Sequence, residues 1–180
     1  MAAEGTVLLR GKEVAVCEGD VVLLHDHRLL SRLVGAFDGG WSHCATVVAH
    51  QGRLVAFSVY RPPDGLTFEP LERFGAACYA RMAIVRPRAR RTARQTLQLR
   101  RAVQEVMRQH ADDPRGAYDK GVAEYVHALL GLQPASADRY ICSELVALLA
   151  RAAGAWPAHR SVSVRVDEVA RVVGNVEIVY

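Results

Sequence analysis

The sequence predicts an α+β protein, with an antiparallel β-sheet built mainly from the first half of the chain and helices from the second. Two observations carry that expectation. Before residue 88 the apolar residues fall in short β-branched runs divided by Gly and Pro turns, and WSHCATVVAHQGRLVAFSVYRPPDG reads as a hairpin about Gln51-Gly52. After Arg88 the apolar residues recur at three and four, the spacing of one helix face. At 180 residues, 51% hydrophobic and 23% charged, the chain suits one domain with its own core, and residues 1–180 are read as a single domain without repeat or linker.

Val14 to Val16 and Val21 to Leu24 read as strand, turn, strand about Glu18-Gly19-Asp20. Leu29 to Phe37 has helical spacing and stops at Asp38-Gly39-Gly40. After the hairpin, Pro62-Pro63-Asp64-Gly65 makes a turn, and Leu66 to Glu69 and Ala77 to Val85 supply further strands. Leu99, Ala102, Val103, Val106, Met107 and His110 then line one face of a helix whose other side carries Arg94, Arg101, Glu105 and Arg108. Asp119 can cap a second helix to about Leu130, before Gly131, Pro134 and Ser136 loosen the chain. In the last long helix Ile141, Leu145, Leu148 and Ala152 form the buried stripe, Asp138 is the expected N-cap, and Gly154 and Pro157 mark the end.

Several function classes are set aside by composition. The first twenty residues lack a basic segment followed by a long apolar one, and no apolar run reaches the ~20 residues that span a bilayer. A cytoplasmic location is expected, with export by a route other than Sec left open. The net charge is +4, and the segment RPRARRTARQTLQLRR suggests a phosphate-binding face or a solvated one. Without interleaved aromatics the solvated face is the better reading, and no nucleic-acid partner is expected. Cys17, Cys44, Cys78 and Cys142 form no C-x-x-C pair and are expected to be free thiols. His25 and His27 flank Asp26 without a third ligand at a recognisable spacing, so no metal and no cofactor is expected.

Cys142 falls in the first helical turn of the last long helix, where unpaired N–H groups and the positive end of the dipole favour a thiolate. A nucleophilic thiol needs a base, and His43 opens a strand directly after Gly39-Gly40-Trp41-Ser42. With Gln51-Gly52 as a two-residue loop, His50 faces Arg53 and His43 faces Tyr60, so His43 shares a sheet face with Ser58 and Tyr60. Ser58, the diagonal neighbour, can then accept the imidazole Nδ1–H. A slip of one residue would bring Phe57 and Val59 instead, which cannot.

Taken in order, GDVVLL (19–24), WSHCATVV (41–48), GAYD (116–119) and YICSELV (140–146) resemble the circularly permuted NlpC/P60 proteins of the YiiX/YaeF type. The resemblance runs from about Glu18 to Val173. It implies a permuted papain-like fold, an antiparallel sheet or barrel packed against helices, with the histidine strand before the cysteine helix. It further implies Cys142 as nucleophile, His43 as general base and, on the following strand, Ser58 where the family frequently has an acid. Tyr140 and Glu144 match residues kept beside the family's nucleophile; with Trp41 and Tyr60 they form the expected substrate-binding set, although Glu144 equally suits the helix dipole as a first-turn acid.

The activity implied is that of a thiol hydrolase cleaving an amide in a small peptide of the cell-wall γ-glutamyl or diaminopimelate class. Two alternatives stand beside it. The same Cys-His pair serves acyl esters in lecithin retinol acyltransferase relatives, and Leu29 to Phe37 with Trp41 can line an acyl groove. An inactive peptide- or lipid-binding module is the other. A small peptide or acyl substrate is thus the expected partner; peripheral membrane contact and oligomeric state are left open by the sequence.

Overall fold

The computed structural model describes residues 2–9, 11–26, 40–60, 64–75, 79–117, 140–162 and 164–178. The expected helices at Leu29–Phe37 and Asp119–Leu130 lie outside the described residues, as does Cys78.

Glu4–Leu9 (β1) and Lys12–Cys17 (β2) form a two-stranded antiparallel ribbon. The sequence reading had only the second of these, because Glu4–Leu9 buries just Val7 and Leu9 and leaves the rest of the strand in solvent. Val21–Asp26 (β3) follows across the Glu18-Gly19-Asp20 turn, the expected strand, turn, strand, but does not pair with β2. It enters a six-stranded antiparallel sheet with His43–His50 (β4), Arg53–Tyr60 (β5), Gly65–Pro70 (β6), Tyr79–Pro87 (β7) and Gly174–Ile178 (β8), in the order β6-β5-β4-β3-β7-β8. Among the described residues the sheet is open rather than closed into a barrel.

The crossing from ribbon to sheet is made by Glu18-Gly19-Asp20, all buried. Gly19 has φ 93°, and the Arg91 guanidinium occupies the space a Cβ would need while donating to the Glu18 and Gly19 carbonyls. Glu18 in turn accepts two hydrogen bonds from Arg100, at 2.8 and 2.6 Å. That corner is therefore fixed by charged groups distant in sequence, Arg91 just before a helix and Arg100 within it, at the point where two adjacent strands separate.

The β4–β5 hairpin is as the sequence reading has it. Gln51 (φ 49°) and Gly52 (φ 77°) both take left-handed backbone, as a two-residue type I′ turn requires, and His50 pairs with Arg53. Period-two alternation then splits the sheet's side chains. Val22, Leu24, Ala45, Val47, Met82 and Ile84 face the β1–β2 ribbon. Val21, Leu23, Cys44, Ala83 and Val85 face the helices.

Three α-helices are described. Ala93–Gln109 (α1) starts with a Thr92–Gln95 capping box and buries Leu99, Val103 and Val106 as expected. Its basic outer side is in solvent, where Arg108 pairs with Glu105. In Cys142–Ala152 (α2) the expected stripe is buried at Ile141 and Leu145 but only half-buried at Leu148 and Ala152, and burial extends beyond it: Val146 and Ala147 face the β3–β4–β7 cluster, while Leu145 and Leu149 face α1. Sandwiching between the sheet and α1 gives it two apolar faces. Val166–Val173 (α3) packs beside α2 and runs directly into β8. No described helix is long and apolar enough to cross a membrane.

Candidate active site

The start of α2 is built from its own sequence. Its N-cap is Ile141, in extended backbone, rather than Asp138, which lies outside the described residues. Cys142 is thus the first helical residue. Isoleucine offers no capping acceptor, so the half of a capping box that exists is Glu144 Oε2 accepting from the Ile141 N–H at 3.2 Å. Ser143 Oγ donates to the Val164 carbonyl at 2.6 Å and ties the helix start to the segment before α3. The first intrahelical bond at this end runs from the Leu145 N–H to the Ile141 carbonyl, so the N–H groups of Cys142 and Ser143 have no intrahelical acceptor.

Opposite this helix end lies the start of β4. Ser58 Oγ is 3.0 Å from His43 Nε2 and donates its hydroxyl proton to the Cys44 carbonyl at 2.8 Å. With that proton spent, Ser58 can only accept from the ring, so neutral His43 carries its hydrogen on Nε2 and leaves Nδ1 with a lone pair. The ring is therefore turned the other way from the Nδ1–H donation expected from the hairpin. The cause is the Cys44 carbonyl, which the register alone does not reveal. Tyr60 stacks on His43, with ring centres 4.3 Å apart and planes at 29°. Its hydroxyl donates to Glu69 Oε2 at 2.6 Å, and Glu69 is itself 3.0 Å from Arg73. Burial, then the neighbouring Glu69 carboxylate, pushes the Tyr60 phenol up, so it stays a neutral donor.

Cys142 is partly buried and packs on the cluster that contains Cys44. Its thiol is held well below the ordinary cysteine value, chiefly because the Cys44 thiol donates a hydrogen bond to it. Burial opposes the shift; the charge of His43, a hydrogen bond to the His43 ring and the Cys44 N–H all add to it. Cys17, by contrast, is raised by burial and by Asp20. Cys17, Cys44 and Cys142 are all free thiols, as expected.

The structure thus brings Cys142, His43, Ser58 and Tyr60 together. The other expected substrate residues are turned inward. Tyr140 is 8% exposed, belongs to the apolar cluster of α1 and α2, presents its ring to His110, and donates its N–H to the Ala117 carbonyl. Trp41 is 7% exposed, with the Arg81 guanidinium 4.7 Å above its ring. Glu144 is buried and spends its carboxylate on the backbone that carries Cys142. The acyl groove expected at Leu29–Phe37 lies outside the described residues. A groove of about 550 Å³ does exist between β4 and α1, lined by His50, Phe68, Leu99 and Met107, but it sits at the other end of β4 from His43.

Cys44 and Glu69 were missed by sequence reasoning. Cys44 stands next to His43 and so points to the opposite sheet face, which is the face that α2 covers. Glu69 pairs with Ala56 rather than Tyr60, and only a tyrosine lying back along the strands can reach it.

No protein-family model and no curated protein matches the chain. Among solved structures, the crystal structure of the metalloprotein YiiX from Escherichia coli O157:H7 is similar over 76% of this chain, with a TM-score of 0.55 at 18% identity. The chain has a YiiX-like fold. It matches 65% of the length of that protein, and at such identity the likeness is one of fold. The YiiX-like fold here is α+β, with an antiparallel sheet and three described helices. Among the described residues no group of three or more His, Cys, Asp or Glu side chains is arranged to hold a metal ion.

Proposed function

We propose that the protein is a cysteine hydrolase that cleaves an amide bond in a small peptide. The observation that carries this reading is the Cys142 sulfur at the first position of α2, hydrogen-bonded to a His43 ring whose far nitrogen is fixed by Ser58. The order of parts, base on an early strand and nucleophile on a late helix, supports assignment to the permuted papain-like NlpC/P60 proteins. That assignment brings the γ-glutamyl and diaminopimelate peptides as the substrate class.

In this mechanism His43 Nδ1 takes the Cys142 proton, and the sulfur attacks the acyl carbon. Negative charge develops on the carbonyl oxygen, where N–H groups at the start of α2 are positioned to receive it. The His43 imidazolium then returns the proton to the leaving amine as the C–N bond breaks, giving a thioester. A water, deprotonated by His43, attacks the thioester and releases the acid and the Cys142 thiol. Ser58 holds the ring orientation throughout.

The test is the pH dependence of iodoacetamide alkylation at Cys17, Cys44 and Cys142, in wild type and His43→Ala. Cys142 should react far faster than the other two below the ~8.5 of a free thiol, and should lose most of that advantage without His43. Equal rates at the three cysteines would overturn the reading.

A further inference from the structure

We propose that Arg81 is a carboxylate-recognition residue at the mouth of the Cys142 site, so that the substrate is an acidic peptide with a carboxylate a few bonds from the scissile amide. The proposal rests on the hydrolase reading above for the reaction it serves, and adds the side chain that receives a carboxylate of the ligand. Its geometry comes from the sheet. Ala83 pairs with Leu23 and Leu23 with Cys44, while Arg81 pairs with His25. Arg81 therefore leaves the sheet on the face of Ala83, Leu23 and Cys44, one inward position further along, about 7 Å from Ala83. This is the face that α2 covers and on which Cys142 packs.

Among the described residues the guanidinium is held in place without an ion pair. Its carbon lies 4.7 Å over the Trp41 ring, which belongs to the same cluster as Cys44 and stands two residues before His43. It also closes over Gly40, where φ is 87° and a Cβ would come within 2.7 Å of Nη1. Arg73, Arg100, Arg108 and Arg171 each carry an acidic side chain within hydrogen-bond distance. Arg81 is exposed and makes no ion pair among the described residues. A guanidinium stacked by its face keeps its N–H edges available, and those edges match the two oxygens of a carboxylate. One guanidinium balances the single charge of one carboxylate.

The experiment uses the full chain and haloacetamides of the form iodoacetyl-NH-(CH2)n-COO⁻, with n from one to four, each compared with its neutral carboxamide twin. The readout is the ratio of the two alkylation rates at Cys142. In wild type the ratio should rise to about five-fold or more at a preferred chain length in low salt, and shrink as salt is added. Arg81→Met should bring it to near one; Arg81→Lys, which keeps the charge but not the fork, should retain part of it. Trp41 is the ring under the guanidinium, so tryptophan emission reports whether each variant keeps its fold. A wild-type ratio near one at every length, or a ratio that survives in a folded Arg81→Met, overturns the proposal. Failure of the hydrolase reading shows separately, as a Cys142 that reacts with the neutral twin along the pH profile of an ordinary thiol.

Discussion

A serine beside His43 does something different from a carboxylate. Its oxygen, with the proton given to the Cys44 carbonyl, fixes which ring nitrogen carries hydrogen, but it brings no negative charge to stabilise an imidazolium. The ion pair must then be sustained from the sulfur side, where the Cys44 thiol and N–H both donate to Cys142. Cys44→Ala should accordingly raise the apparent pKa of Cys142 by about one unit or more, since a hydrogen bond to a charged group contributes ~1.5–3 kcal/mol. The alkylation profile checks this. Ser58→Ala should slow alkylation at neutral pH several-fold, because the ring is freed to turn and the buried Cys44 carbonyl loses its donor. An unchanged profile in either variant would remove that residue from the site. His43 and Ser58 were legible in the sequence because a two-residue turn fixes the register of everything on the hairpin. The ring orientation and the role of Cys44 were not, since they depend on a carbonyl and on a helix nearly a hundred residues away.

At the level of elements, local chemistry and packing contribute separately. The capping box of α1 is local: Thr92 Oγ1 accepts from the Gln95 N–H, and Gln95 Oε1 from the Thr92 N–H. Thr92→Ala should cost about 1 kcal/mol in urea unfolding and leave Cys142 alkylation alone. The start of α2 is different, because the first residue of the helix is the nucleophile and the cap is an isoleucine. Here Glu144→Ala should both destabilise the protein by about 1–3 kcal/mol and slow Cys142, as the turn before the helix loses its tether. The hairpin and α1 could be read from their turn residues and period. The position of α2's first residue could not, because Asp138 is the better capping residue by type and Glu144's backward bond overrides that preference. β8 was equally hidden: five residues following a helix without a glycine-rich turn carry no period long enough to separate strand from helix.

The whole molecule is held at one corner by buried charge. Glu18, at the crossing from ribbon to sheet, is reached by Arg100 from α1 and by the N–H groups of Ala3 and Ala49. Burial alone would push its carboxyl up; those four donors outweigh burial and hold it below the ordinary glutamate value. A carboxyl depressed by folding adds stability that is present above its unfolded pKa and lost as pH falls through the folded one. Glu18→Gln should therefore lower stability at neutral pH and flatten the acid limb of the unfolding curve relative to wild type. An acid limb that superposes on wild type would show that the pair contributes nothing.

The base lies on a strand near residue 43 and the nucleophile on a helix about a hundred residues later, and β7 waits almost as long for β8. Contacts of such span form late, after slow closure of the chain. Until α2 has been made and has docked on the sheet, the newly made polypeptide therefore carries only thiols of ordinary reactivity. Only when α2 docks beside the start of β4 does one of them become a thiolate, so the folded molecule, and not the nascent one, is the species that oxidants and electrophiles would find first.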